Sequence, residues 1–229
     1  FFIQYVKEHL MLTFYTTSKE VGGDLYDFYM DGNHLYFLIG DVSGKGVPAS
    51  LFMAITRSLF RTLSQHVLSP AKIVTEMNNS ISDNNESNMF VTLIVGILDL
   101  ETGILKLCNA GHNPPILIYP DGQVSYLEFK TQIFVGVVED FKYSDEEVVL
   151  EKESKLFLYT DGVTEAENIN KELYGEEKLL GMLSDNASSD VRTTVNVVVD
   201  SIASHVKEAE ASDDLTILLI QYEPGTANS

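Results

Sequence analysis

The chain is poor in basic residues, cysteine and long apolar runs, and each shortage excludes a class of protein. Lysine and arginine number 15 against 34 aspartates and glutamates, which gives a formal net charge of −19. A surface this acidic offers no basic face to a nucleic acid and repels an anionic membrane. Cys108 is the single cysteine, so no internal disulfide can form, as is typical of the reducing cytoplasm. Since no apolar stretch approaches the roughly 20 residues of a membrane span, we expect a cytoplasmic domain without nucleic-acid or membrane contact.

Hydrophobic residues make up 45% of the 229 positions, which is enough for one domain with a sizeable core. We expect residues 1–20 to form a short helix or linker that comes from an upstream region and leads to an edge strand. The domain itself is predicted at 21–223, followed by a tail at 224–229. The chain begins at Phe1 without a methionine, so we expect a piece of a longer protein, whose upstream part could carry a sensor or a membrane anchor.

Strand and turn signals predict antiparallel sheet with two pairs of helices. The strongest turn is Asp31-Gly32-Asn33, which separates the apolar runs 25–30 and 35–39 and predicts a hairpin. Helical spacing predicts helices at 47–66, from 70 onward, at 176–183 and at 190–207. The other predicted strands are 90–98, 104–110, 116–119, 124–127, 148–150, 156–160 and 215–222. Because hairpins follow one another without intervening helices, the predicted fold class is layered α+β rather than a doubly wound parallel sheet.

Two aspartates stand at the open end of the predicted hairpin. Asp41 follows the run 35–39, and the glycines after it begin a turn into the next helix. Pairing back from the turn at 31–33 places Asp24 opposite residues 39 to 41, according to the turn type. Taken alone, Asp41 is better explained as a helix cap or turn residue than as a functional residue. Two carboxylates this close repel each other without a cation or proton between them, which favours a hard ion such as magnesium or manganese.

A second pair of aspartates flanks strands in the later part of the chain. Asp161 follows the apolar run 156–160, and Asp213 precedes the run 215–220. If these strands are antiparallel, the end of one meets the beginning of the other and the two carboxylates share an edge. No cluster of lysine or arginine is close in sequence to neutralise them, so two divalent ions are the predicted partners. Two such ions roughly 3.5–4 Å apart are a known device for activating water against a phosphoryl group.

Five short motifs, in this order, make the chain similar to a known family. They read VGGDLYD, GDVSGKG, NAGHN, YTDGVTE and DDLT, and they lie at 21–27, 40–46, 109–113, 159–165 and 213–216. Together they resemble the metal-dependent PPM-type serine/threonine phosphatases, in the bacterial SpoIIE-like branch of the protein phosphatase 2C superfamily. The resemblance implies a four-layer α/β/β/α sandwich of two antiparallel sheets flanked by helices. One departure is Phe134-Val135-Gly136, which stands where Pro-Leu-Gly is common.

The resemblance also implies two Mn²⁺ or Mg²⁺ ions and the residues that hold them. Asp24 and Asp41 are similar to the ligands that bridge or flank the metals, and the backbone carbonyl of Val42 is similar to the main-chain ligand. Asp161 and Asp213 resemble the remaining carboxylate ligands. The implied reaction is attack of a metal-activated water on phosphoserine or phosphothreonine, without a phosphoenzyme. The implied substrate is a phosphorylated regulatory protein of the anti-anti-sigma (STAS-like) type.

Four other residues near these motifs have competing interpretations. Asp214 could exchange roles with Asp213, whereas Asp27 is expected to be structural. Lys45 is a candidate phosphate contact, although its turn lacks the spacing of a nucleotide-binding loop. His112 is a candidate general acid because imidazole titrates near neutral pH, but a role in holding its Gly-His-Asn-Pro-Pro turn is favoured. No arginine is close in sequence to the first strands, so the metals are expected to hold the phosphate.

The sequence leaves three functions open. The first is the active protein phosphatase, which the complete set of four aspartates favours. The second is a catalytically weak or inactive phosphatase-fold interaction module that binds a signalling partner. The third is a metal-dependent hydrolase of small phosphate esters. We further expect an upstream domain to regulate activity through the first helices, while the oligomeric state stays open, with a homodimer as one option.

Overall fold

The computed structural model describes residues 2–7, 10–17, 22–83, 85, 88–209 and 213–223. Within them the strands are β1 (Phe2–Lys7), β2 (Leu10–Thr17), β3 (Leu25–Asp31), β4 (His34–Val42), β5 (Val91–Asp99), β6 (Ile104–Ala110), β7 (Ile116–Ile118), β8 (Val124–Tyr126), β9 (Glu146–Val149), β10 (Lys155–Tyr159) and β11 (Leu215–Tyr222). The helices are α1 (Val47–Leu63), α2 (Pro70–Ser82), α3 (Glu176–Asp185) and α4 (Val191–Val206). The strands form two antiparallel sheets, so the α+β prediction is confirmed. In the described part of the chain, no helix combines the length and apolarity needed to cross a membrane.

The chain divides into two units, and the first contains the five-stranded sheet with α1 and α2. Its strand order is β3-β4-β5-β6-β9. The predicted hairpin is confirmed, because β3 pairs with β4 and Asp31 lies opposite His34 across the turn. All five residues of the run 35–39 are buried, as expected for a strand covered on both faces. On the helix side of this sheet, the core includes Phe60 from α1 and Met77 from α2.

The two helices of this unit begin where the sequence predicts. Gly46, with φ of 77°, ends the glycine turn, and Pro48 occupies the first turn of α1. The Ser69 side chain accepts a hydrogen bond from the Lys72 amide at 3.3 Å and so caps α2. α1 ends at Leu63, slightly before its predicted end.

The second unit contains the six-stranded sheet with α3 and α4. Its strand order is β1-β2-β11-β10-β7-β8. β10 and β11 are antiparallel, with Tyr159 opposite Ile217, which confirms the pairing on which the second aspartate pair depends. α3 and α4 contribute Leu183 and Val195 to the buried cluster on this sheet.

The prediction of a short helix or linker at the beginning of the chain is wrong. β1 and β2 form an antiparallel pair, and β2 continues the sheet by pairing with β11. In β2, Leu10, Leu12 and Phe14 are fully buried at every second position, which is the period of a strand. Residues 8 and 9 between the strands are glutamate and histidine, so no turn residue marks the hairpin in the sequence. Where the domain begins stays a prediction.

Candidate functional site

Asp24 and Asp41 lie opposite each other at the end of the β3–β4 hairpin. The ladder of β3 and β4 ends one residue before this pair. One residue beyond it, the Val42 amide donates to the Gly23 carbonyl at 3.3 Å, so the two segments stay in register. Both carboxylates are partly exposed. Of the three partners that the sequence left open for Asp24, the structure therefore selects Asp41.

Gly23 lies tightly against two oxygens of the predicted ligand set. A Cβ atom on Gly23 would lie 2.9 Å from the Val42 carbonyl oxygen and 3.2 Å from Oδ1 of Asp41. The two oxygens therefore face the same small region, and a larger residue at position 23 would intrude on it. This arrangement fits a cation held by one carboxylate and one main-chain carbonyl.

The first turn of α1 is tied to the segment that carries Asp24. The Ser50 hydroxyl lies 3.1 Å from the carbonyl oxygens of Gly22 and of Gly46. Gly22 precedes Asp24 by two residues, and Gly46 ends the turn that follows Asp41. The contact with Gly46 lies within the first turn of α1, so it is the contact with Gly22 that links α1 to the segment leading into β3.

Thr92 of β5 lies beside Asp41, and His112, which follows β6, contacts Thr92. Thr92 of β5 is directly opposite Asp41, and its hydroxyl lies 2.9 Å from Nδ1 of His112. His112 is only 4% exposed. Its backbone N–H donates to the Asn109 side chain at 2.8 Å, and its carbonyl accepts from the Asn109 amide at 3.0 Å. These contacts are those of a residue that holds its own turn, and the general-acid role stays a prediction.

A third carboxylate, that of Glu165, lies near the second aspartate pair, and the sequence analysis does not single it out. Asp161 begins a short 3₁₀ turn, and the Glu165 amide donates to the Asp161 carbonyl at 2.7 Å. Partial burial, and then the negative charges of Asp161 and Asp213, raise the pKa of Glu165. The three acids therefore share one region of negative potential. The signal was present in the motif, since Glu165 follows Asp161 by four residues, one turn of helix.

The backbone around Asp161 fits closely against the beginning of β11. A Cβ atom on Gly162 would lie 1.8 Å from the Asp214 carbonyl oxygen, so no side chain fits there. Asp213 accepts a hydrogen bond from the Asp214 amide at 2.9 Å. Asp213 is the more exposed of the two neighbours. Asp213 as the ligand, with Asp214 as its alternative, stays a prediction, as does a phosphate contact by the exposed Lys45.

Asp27 is held by two arginines from α1. It is 3% exposed, and Arg61 donates two hydrogen bonds, one to each carboxylate oxygen. Arg57 lies 3.2 Å from the same carboxylate. Burial alone would raise the pKa of Asp27, but the hydrogen bonds from Arg61 and Arg57 outweigh it and lower the pKa. α1 thus brings two arginines that are distant in sequence to β3, and both bind Asp27. That the metals hold the phosphate stays a prediction.

The donors at both places fit hard divalent ions. Carboxylate and carbonyl oxygens are the ligands that Mg²⁺ and Mn²⁺ prefer. Among the residues that the structure describes, no three acidic, histidine or cysteine side chains cluster closely enough to hold a metal by themselves. Mg²⁺ commonly keeps several waters and binds through only one or two carboxylates, so pairs such as Asp24 and Asp41 suit it.

Comparison with known proteins bears on the family and the fold of this chain. The sequence model of the family described as "Stage II sporulation protein E (SpoIIE)" matches residues 31–223. "Phosphoserine phosphatase RsbU" of Bacillus subtilis is 26% identical over 89% of this chain and 60% of its own length. Among solved structures, the SiaA-PP2C domain of Pseudomonas aeruginosa has a TM-score of 0.81 at 21% identity, covering 92% of this chain and 86% of its own.

A structure of RsbX in complex with magnesium has a TM-score of 0.74 at 19% identity, over 97% of this chain and all of the other. These structural similarities establish the fold. The chain spans only 36% to 60% of the length of the first curated relatives that it matches.

Proposed function

Because this chain belongs to the SpoIIE family of PP2C-like phosphatases, we propose that it is a metal-dependent protein phosphatase acting on phosphoserine or phosphothreonine. The observation that carries the proposal is the opposition of Asp24 and Asp41, with Gly23 close to the Asp41 carboxylate and the Val42 carbonyl. A purely structural hairpin end has no need of two facing carboxylates. The name of RsbU, a phosphoserine phosphatase, supports the same activity.

The proposed ligands are the carboxylates of Asp24, Asp41, Asp161 and Asp213 and the backbone carbonyl of Val42. Divalent ions bound there, Mn²⁺ or Mg²⁺, lower the pKa of water and neutralise phosphate oxygens. The magnesium complex of RsbX supports this choice of ion. The protein's own part is to hold these oxygens in place, and the β3–β4 ladder and the β10–β11 pair each fix one set.

The proposed substrate is a phosphorylated regulatory protein of the anti-anti-sigma (STAS-like) type. The family resemblance and the similarity to RsbU support this class. We also propose that an upstream regulatory domain acts through α1, since Ser50 and the Asp27 ion pairs join α1 to the segment that carries Asp24. Equal specific activity of the fragment and of the full-length protein, with and without its signal, would contradict that regulation.

The test is hydrolysis of a chromogenic phosphomonoester with and without Mn²⁺. We expect Mn²⁺-dependent turnover that falls at least about 100-fold in Asp41→Asn and in Asp161→Asn, because each removes a charged ligand. Asp185→Asn, which changes an exposed acid at the end of α3, is the matched control and should retain activity.

Calorimetry of Mn²⁺ binding separates the alternatives. Metal binding without turnover, towards both the chromogenic ester and phosphoproteins, would support the interaction module instead. Absence of metal binding by the wild-type protein would contradict the proposal. Preference for small esters over phosphoproteins would favour the small-ester hydrolase.

A further inference from the structure

Phe90 and Phe134 form a stacked aromatic pair near the candidate ligands. Their ring centroids are 5.1 Å apart and the rings are inclined by 19°. Phe134 also covers Gly111, where a Cβ atom would lie 2.0 Å from the Phe134 ring. Phe134 is nevertheless 38% exposed. One side of its ring system is therefore fixed by the protein while another part is open to a binding partner.

The pairing of the strands places Phe134 on the same face as Asp41. Thr92 lies opposite Asp41 in the β4–β5 ladder. Val91 forms a two-way backbone pair with Val135, so Phe134 falls beside Thr92 on its other flank. Residues paired across neighbouring strands point to the same face of a sheet. Asp41, Thr92 and Phe134 consequently form a row, in which two strand spacings separate the ends by about 10 Å.

Phe90 is attached to the same turn as the candidate ligands. Its backbone amide and carbonyl both bond Ser43, with the amide donating to the Ser43 hydroxyl at 2.9 Å. The Ser43 amide in turn donates to the Phe90 carbonyl at 2.9 Å. Ser43 follows Val42 directly, so the aromatic pair is held in a fixed position relative to the Asp41 end of the sheet.

An apolar contact of this kind would add affinity for a phosphoprotein that this acidic chain does not attract by charge. The net charge of −19 repels an acidic substrate away from the metals, so charge attraction does not supply its affinity. A fixed, half-exposed aromatic ring binds an apolar side chain with little loss of conformational entropy.

We propose that the Phe90–Phe134 pair contacts an apolar side chain of the phosphoprotein substrate and thereby contributes to substrate selection. The inference rests on the proposed phosphatase function. With the phosphoryl group at the Asp41 end of the row, the contact lies about 10 Å away. An extended segment rises about 3.3 Å per residue, so the apolar residue lies about three positions from the phosphorylated one.

The test uses phosphoserine peptides that differ only by leucine or serine three positions before or after the phosphoserine. The readout is the ratio of kcat/KM for the leucine and serine peptides in the presence of Mn²⁺, since this ratio does not depend on the fraction of active enzyme. For the wild type we expect a ratio of about 10 at one of the two positions. Phe134→Ser should lower that ratio to about 1, and Phe134→Leu should retain most of it.

Val149→Ser is the matched control. Val149 is 64% exposed and lies opposite Ile104, at the far end of β6 from Gly111, so its loss should leave the ratio at the wild-type value. A wild-type ratio near 1 at both positions, or a ratio that persists in Phe134→Ser, would overturn the inference. If the chromogenic ester is still hydrolysed when either of these results is found, the inference fails but the phosphatase function is supported. Failure to hydrolyse either the ester or any peptide would overturn both.

Discussion

Gly23 is the residue whose smallness bears most directly on the candidate metal site. In Gly23→Ala, the new methyl group would crowd the Val42 carbonyl and the Asp41 carboxylate, and at least one of these oxygens must move. We expect the affinity for Mn²⁺ to fall at least about tenfold, as is typical when ligand orientation is disturbed. Calorimetric titration of Mn²⁺ measures the change.

The control for this substitution is Gly181→Ala. Gly181 lies in α3 with nothing within 4 Å of its Cβ position, so alanine should raise helix stability slightly and leave Mn²⁺ binding unchanged. Unchanged Mn²⁺ affinity in Gly23→Ala would show that the oxygens beside Gly23 do not bind the metal.

Cys108 should be chemically silent in the folded protein. Its side chain is fully buried, and burial, with the nearby charge of Asp145, raises the pKa of its thiol to about 12. Since the thiolate is the reactive form, we expect a thiol reagent at pH 8 to label the protein only after unfolding in urea. Labelling of the native protein within minutes would contradict the buried position of β6.

Single residues also show which contacts of the candidate site can be predicted from the sequence alone. The facing of Asp24 and Asp41 was predictable because turn residues set the hairpin register within narrow limits. The Asp27–Arg61 pair was not, since the partners are 34 positions apart and meet only when α1 packs on β3. Glu165 was visible in its motif, but its proximity to Asp213 depends on the β10–β11 pairing.

At the scale of elements, α1 is fixed to β3 by ionic contacts as well as by apolar packing. Arg61→Gln would leave the buried Asp27 carboxylate with only the half-exposed Arg57 as a charged partner. We expect a loss of about 2 kcal/mol in the free energy of unfolding, measured by urea denaturation at pH 7. In a double-mutant cycle, Asp27→Asn should cost clearly less in the Arg61→Gln background than in the wild type; additive effects would contradict the coupling.

The same contact predicts a pH dependence of stability. Because the pKa of Asp27 is lower in the folded than in the unfolded protein, its contribution is fully present above the unfolded value of about 3.9 and is lost as the pH falls through the folded value. The difference in unfolding free energy between wild type and Asp27→Asn should thus be constant near neutrality and shrink below about pH 4. A difference that grows on acidification would refute this sign.

The elements themselves were predicted unevenly, and the reason is local. A turn residue precedes β4 and a cap precedes α2, so the sequence predicts where each begins to within one residue, whereas β4 extends three residues beyond the predicted run. No turn residue separates β1 from β2, so the sequence alone predicts a helix or linker there. Their strand identity is settled by β11, which pairs with β2 from the far end of the sequence.

At the scale of the whole molecule, the excess of acids should make stability sensitive to cations. A net charge of −19 destabilises the folded chain by self-repulsion, which any salt screens. We expect Mn²⁺ or Mg²⁺ to raise Tm by more than NaCl of equal ionic strength, because specific binding adds to screening. In a variant carrying both Asp24→Asn and Asp41→Asn, the rise in Tm caused by Mn²⁺ or Mg²⁺ should exceed the rise caused by NaCl by less than in the wild type. If this difference is unchanged, the ions bind elsewhere.

The pairing of β2 with β11 also has a consequence for biosynthesis. Thr17 lies opposite Leu215, so this strand pair joins positions almost 200 residues apart in the chain. The five-stranded sheet can assemble as soon as β9 has left the ribosome, whereas the six-stranded sheet must wait for the final strand. Until then β1 and β2 expose an unpaired edge on the nascent chain, which makes them a natural target for chaperones during translation.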